Sequence, residues 1–207
     1  MKKFLLAIPM AALFLASCGS NDTALEEVLD DKDSFDAAVN SFADGNAKDA
    51  EEYFAGLLAE VIEVDVKFHE TERLDEMNAT PEEINAVLDS CIKLIHEAEV
   101  ALELYKDKDW ARRGDFHDLT IEWFGVVEEI VTDYLRPLAV AMSKPDEDLT
   151  DDDLDLYEEL DYATEDYIEV DTRWVAFQHT FAAANGFQLG TNTVDVEALI
   201  EEELASE

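Results

Sequence analysis

Thr150-DDDLDLYEELDYATEDYIEVDTRWVAFQHTFAAAN-Gly186 is the stretch on which the fold turns. Its apolar residues fall at Leu156, Leu160, Ala163, Tyr167, Val170, Trp174, Phe177 and Phe181, in alternating steps of four and three. That period places all of these side chains on one face of a helix. Asp152, Asp155, Glu158, Asp161, Glu165, Asp166 and Glu169 cover the other faces. A helix with one such seam is marginal alone and is stabilised by docking on partner helices. Thr150 suits the N-cap, with Asp151, Asp152 and Asp153 at the positive end of the helix dipole. Asn185-Gly186 supplies the stop.

The segments upstream supply the partners. From Asp49 to Met77, a stripe of Tyr53, Leu57, Val61, Val64 and Phe68 is widened by Phe54, Leu58 and Ile62. Thr80-Pro81-Glu82-Glu83 is a helix start: Thr80 suits the N-cap, Pro81 the first position, and Glu83 completes a capping box. Ile84, Val87, Leu88, Cys91, Ile95, Ala98, Leu102 and Tyr105 then share one side. From Asp115 to Met142 the stripe is Phe116, Leu119, Trp123, Val127, Ile130, Tyr134 and Leu138, flanked by Phe124, Val131 and Leu135. Pro137 lies inside this pattern and is expected to kink or end the helix. No segment alternates as a strand would. The pattern predicts an all-α chain, an antiparallel up-down-up-down four-helix bundle, with helices at 48–77, 80–106, 115–143 and 150–186. Short turns make successive helices antiparallel.

The chain has 207 residues, enough for one domain with a sizeable core. It carries 52 acidic against 14 basic residues, a net charge of -38, yet 48% of it is hydrophobic. Apolar content and periodicity outweigh the disordering effect of the charge. Mutual repulsion predicts a fold that gains stability in salt. A surface this negative argues against nucleic-acid binding.

The N-terminus reads as an export signal. Lys2 and Lys3 precede a short apolar run, Phe4 to Leu15, which is too short for a permanent membrane span. The run ends in Leu15-Ala16-Ser17-Cys18-Gly19, which resembles the bacterial lipobox. The resemblance implies a signal peptide at 1–17, cleavage before Cys18, a diacylglyceryl group on the Cys18 thiol, and a fatty acyl chain such as palmitate on the new amine. More than one chain makes membrane anchoring stable. Gly rather than Asp at position 19 implies sorting to the outer membrane, with periplasmic and surface orientations both open. Cleavage removes Lys2 and Lys3, leaving 12 basic residues against 52 acids, or -40.

Residues 18–47 read as an acidic tether, in which Phe35, Val39 and Phe42 mark a short amphipathic helix ended by Gly45 and Asn46. Asp22-Thr23-Ala24 is similar to a short acceptor pattern for O-glycosylation. The bundle is expected over 48–187 and an acidic tail over 188–207, with a weak helix from Thr193 to Leu204. Lipobox, tether, helices and the ending Gln178-His179-Thr180-Phe181-Ala182 together resemble uncharacterised helical surface lipoproteins of Gram-negative bacteria. That resemblance brings no catalytic residue.

Lys106, Lys108, Arg112 and Arg113 stand between the second and third helices, a third of the mature chain's positive charge, with Trp110 among them. Cations at a helix C-terminus are favourable by themselves. The same turn is the candidate patch for an anionic partner, such as a lipid headgroup or a glycan carboxylate.

Motifs for chemistry are missing. Di-iron bundles use Glu-x-x-His, but Val66, Lys93, Gly114 and Ala176 stand three residues before His69, His96, His117 and His179. Asp65 and His69 are spaced i, i+4 and can share a helix face. An EF-hand loop starting at Asp151 would need Gly where Leu156 stands and Glu where Tyr162 stands. No Gly-x-Ser-x-Gly, His-Glu-x-x-His or phosphate loop occurs. Cys91, the one thiol left after Cys18 is lipidated, reads as a small buried hydrophobe. The sequence therefore points to a membrane-anchored, non-catalytic binding or interaction module without cofactor, metal or catalytic residue. The alternative is a divalent-cation-binding or scaffolding envelope lipoprotein.

Overall fold

The computed structural model describes residues 32–76 and 79–189. These residues form helices α1 (Lys32–Ala43), α2 (Ala50–Glu76), α3 (Pro81–Glu103), α4 (Arg113–Glu129), α5 (Arg136–Met142) and α6 (Asp151–Asn185). A π-helical turn, Ile130–Leu135, joins α4 to α5, and a 3-10 turn, Asp146–Asp148, precedes α6. Among the described residues there is no strand. The chain is all-α.

Two helix starts follow the expected chemistry. Thr80 Oγ1 accepts from the Glu83 N–H at 3.3 Å, while the Thr80 N–H donates to Glu83 Oε2 at 2.7 Å. Thr150 and Asp153 form the same reciprocal pair, at 3.2 and 2.9 Å. Lys144 Nζ adds a 2.7 Å bond to Asp153, which with the Thr150 bonds lowers the carboxyl pKa to about 2. At the other end of α6, Gly186 adopts φ 82°, and its N–H returns to the Ala182 carbonyl. That left-handed conformation suits Gly.

The α6 stripe is the buried face. Leu160, Tyr167, Val170, Trp174 and Phe181 are buried, and Leu156, Ala163 and Phe177 pack half-buried at its edges. The seven acids named on the other faces are all exposed. Helix α6 packs on α4, α2 packs on α3, and α2 meets α6.

Three features differ from the sequence reading. First, α2 does not have one buried stripe. It is buried almost continuously from Tyr53 to Thr71, including Glu60, Asp65, His69 and Glu70. The reason is α1, which covers the face that the stripe left open. Second, the segment expected as tether therefore enters the packed body from α1 onward, with Phe42 fully buried. The helices touch closely at Gly56, where an added Cβ would lie 2.4 Å from Phe42 Cβ and 2.9 Å from the Ala38 carbonyl oxygen. Only Gly lets the backbones meet there. Third, Pro137 does not end its helix. The π turn ahead of it shifts the register, with the Arg136 N–H bonding the Val131 carbonyl five residues back. The rod accommodates the missing proline donor and runs on to Met142.

The signal peptide at 1–17, Cys18, Asp22-Thr23-Ala24 and the tail helix from Thr193 all lie outside the described residues. Among the described residues no helix is long and apolar enough to cross a membrane.

Candidate functional site

The turn holding Lys106, Lys108, Arg112 and Arg113 is clamped on three sides. Asn185, the last residue of α6, accepts from the Ala111 N–H at 3.0 Å and donates to the Ala111 carbonyl at 2.8 Å. Tyr105 Oη donates to the Phe42 carbonyl at 2.9 Å and accepts from the Ala47 N–H at 3.2 Å, tying in the end of α1. Beneath the turn lies an aromatic floor. The Tyr53 ring stands 5.0 Å from Tyr105, 5.1 Å from Trp110 and 6.0 Å from Phe181. The Phe42 ring stacks on Tyr105 at 5.3 Å.

The four cations share the turn but not one surface. Lys106 pairs at 3.8 Å with Glu103 in solvent. Lys108 places its ammonium 5.5 Å from the centre of the Trp110 ring. Arg112 pairs with Asp115 and lies over the Phe177 ring at 4.9 Å. Asp107, Asp109 and Asp115 interleave with these residues, so the turn is not a broad positive field. Arg113 points inward. Its Nη1 is buried and has no hydrogen-bond partner, and the same is true of the Tyr53 hydroxyl. Burial pushes the Tyr53 hydroxyl pKa up, and the charge of Arg113 pulls it back down.

Arg112 is the N-cap of α4 and sits at φ 61°, the one non-glycine positive φ among the described residues. This costs about 1–2 kcal/mol. No side chain caps the helix there, and the Arg113 N–H bonds back to the Trp110 carbonyl instead. A shallow groove begins beside it, lined by Leu119, Ala176 and Phe177 at its base and by Asp115, Asp118, Glu122 and Arg173 at its rim. Arg173 closes part of that rim by donating two hydrogen bonds to the Glu122 carboxylate.

A second polar cluster lies in the middle of the core. Tyr167 Oη donates to Asp65 Oδ1 at 2.9 Å, and Trp123 Nε1 donates to Asp171 Oδ1 at 3.2 Å. His69 Nε2 is 3.4 Å from Asp65 Oδ1. All five side chains are buried. Burial, and then the charge of Asp65, raise the Asp171 carboxyl pKa to about 7. Asp171 therefore holds its proton in mild acid and loses it around neutral pH, with Trp123 donating to Oδ1. Among the described residues no group of three or more His, Cys, Asp and Glu side chains is arranged to hold a metal ion. Phe68 and Tyr167, 5.3 Å apart, wall the cluster from solvent together with Trp123. Its arrangement joins α2, α4 and α6 rather than presenting a reacting group to a substrate.

Cys91 is buried, its thiol 3.8 Å from the Val64 carbonyl. Burial pushes its pKa up to about 12, which keeps it a thiol.

The sequence picked out the turn and the Asp65–His69 spacing. It passed over Asp171 and Tyr53, because one stands among many acids and the other on an apolar stripe. No protein-family model, curated protein or solved structure matches the chain.

Proposed function

We propose that the chain is a lipoprotein of the cell envelope, anchored in the outer membrane through Cys18, and that its helical body is a non-catalytic binding module. The four long rods run up-down-up-down, which gathers the start of α2, the end of α3, the start of α4 and the end of α6 at one pole. Contacts among Tyr53, Tyr105, Trp110 and Phe181 support that arrangement. The basic turn at this pole is the binding end.

The observation that carries this reading is the double clip of Asn185 on Ala111. Here the backbone next to Trp110 is held at Ala111, so the side chains the turn displays are pre-organised for a partner. The anionic partner expected from the sequence fits this pole better than the acidic faces of α6.

Two measurements test the proposal. The first is expression of the full chain in a Gram-negative host with labelled palmitate. The wild type is expected to carry the label in the membrane fraction, and Cys18→Ser to lose both label and membrane association. Label retained by Cys18→Ser would refute the anchor. The second is retention of envelope material on the immobilised full chain. Loss of retention in a Lys108→Glu, Arg112→Glu variant is expected, and unchanged retention refutes the binding end.

A further inference from the structure

Two buried donors, close enough for the charge of one to act on the other, lack an acceptor among the described residues. Among the described residues, rich in acids as they are, no carboxylate oxygen reaches Nη1 of Arg113 or the hydroxyl of Tyr53. Leaving such groups unsatisfied in a protein interior is costly. Tyr53 has no exposed surface, and its ring packs under Trp110, whose carbonyl accepts from the Arg113 N–H at 3.2 Å. The uncapped amide end of α4 starts at the same residue. A guanidinium, a phenolic hydroxyl and a helix N-terminus all call for a negatively charged oxygen.

We propose that Arg113 and Tyr53, at the uncapped start of α4, bind the carboxylate of a small organic acid whose ring or chain lies against Trp110. The inference gives the ligand class of the binding end proposed above and rests on that reading for its biological role. Charge argues for a carboxylate over a more highly charged group. Lys106 and Arg112 are already paired with Glu103 and Asp115, and Lys108 lies outside over Trp110, so the buried charge close to Tyr53 is a single guanidinium. A planar fork of donors matches a carboxylate in two-point contact. Trp110 is half-buried, with the exposed Lys108 laid over its ring. This pair is the cover that yields when the acid enters.

The test uses the full chain in detergent and glucuronate as the probe, with glucose and inorganic phosphate in parallel. The indole N–H resonance of Trp110 reports binding. Trp123 and Trp174 serve as internal controls, because their N–H groups are tied to Asp171 and Thr120 in the core. Glucuronate is expected to shift the Trp110 resonance saturably, glucose to leave it in place, and phosphate to bind at least tenfold more weakly. Tyr53→Phe removes only the hydroxyl and is expected to weaken glucuronate about tenfold. Arg113→Gln is expected to abolish binding while the helical melt persists. If Arg113→Gln does not fold, Tyr53→Phe decides alone. No saturable shift, an equal response to glucose, or wild-type affinity in Tyr53→Phe overturns the site, and a bound water is then the acceptor. Phosphate binding as tightly as glucuronate overturns the carboxylate assignment. These titrations are independent of envelope retention, so the site and the binding-module reading can fail separately.

Discussion

Replacing Asp171 by Asn should stabilise this protein in mild alkali and change little in mild acid. Asp171 is almost fully buried, and its Oδ1 accepts from Trp123 Nε1. Asn keeps that acceptor and the shape of the side chain but cannot ionise. Burial and the neighbouring Asp65 raise the folded carboxyl from its ordinary 3.8 to about 7. Between these two pH values the unfolded chain has released the proton and the folded chain still holds it. Stability therefore falls as pH rises through that window, and the contribution is lost above about 7. Raising the carboxyl from 3.8 to about 7 corresponds to roughly 4 kcal/mol, an upper figure because a charged core relaxes and admits water. The groups facing Asp171 are Asp65 and His69 from α2, Trp123 from α4 and Tyr167 on its own helix. Glu60, also raised to about 7 by burial, adds a fall of the same sign to the wild-type curve. The difference between wild type and variant isolates Asp171. Urea unfolding at fixed ionic strength, from pH 4.5 to 8.5, should show the gap between the curves narrowing to about 1 kcal/mol at the acid end. Asp171→Asn should then lead by about 2–4 kcal/mol at pH 8.5. A difference that stays flat across this range, or a variant less stable at every pH, would refute the argument.

Three further outcomes follow from the packing. Gly56→Ala pushes a methyl group into Phe42 and the Ala38 carbonyl, and should cost about 1–3 kcal/mol in chemical denaturation. Trp174→Asp buries a charge where a fully enclosed indole donates to Thr120 at 3.0 Å, and circular dichroism should show loss of the cooperative melt. A soluble variant with the full helical signal would show that Trp174 is not a core anchor. A net charge of -38 predicts that the melting temperature rises with sodium chloride, and an unchanged melt from low to high salt would count against repulsion as a limit on stability.

The fold class was legible because helix signals are local and periodic. The α6 seam, the Thr80 and Thr150 caps and the Gly186 stop each depend on residues a few positions apart. What sequence did not give was direction. Arg113 and Arg112 are neighbours of the same type, yet one turns in beside Tyr53 and the other lies out over Phe177. Asp171 follows Val170 at the edge of the seam, and in a helix with acids on every other face its burial leaves no mark on the pattern. The all-round burial of α2 had a trace, the dense apolar run from Tyr53 to Val66, but a widened stripe carries no sign that Glu60, Asp65, His69 and Glu70 are buried as well. The part played by α1 was hidden because its few apolar residues bury themselves only against a helix later in the chain. The π turn depends on a backbone register that side-chain periodicity does not encode.

The seat of α1 has a mechanical consequence. A pull on the chain ahead of Lys32 acts first on the opening turns of α1 and peels them from α2. The last grips to resist are the Phe42 ring on Tyr105 and the hydrogen bond from Tyr105 Oη to the Phe42 carbonyl. Phe42 also lies 5.7 Å from Tyr53. Tension from the N-terminal side is thus delivered to the floor under Trp110, and when that grip fails the floor loses one of its walls.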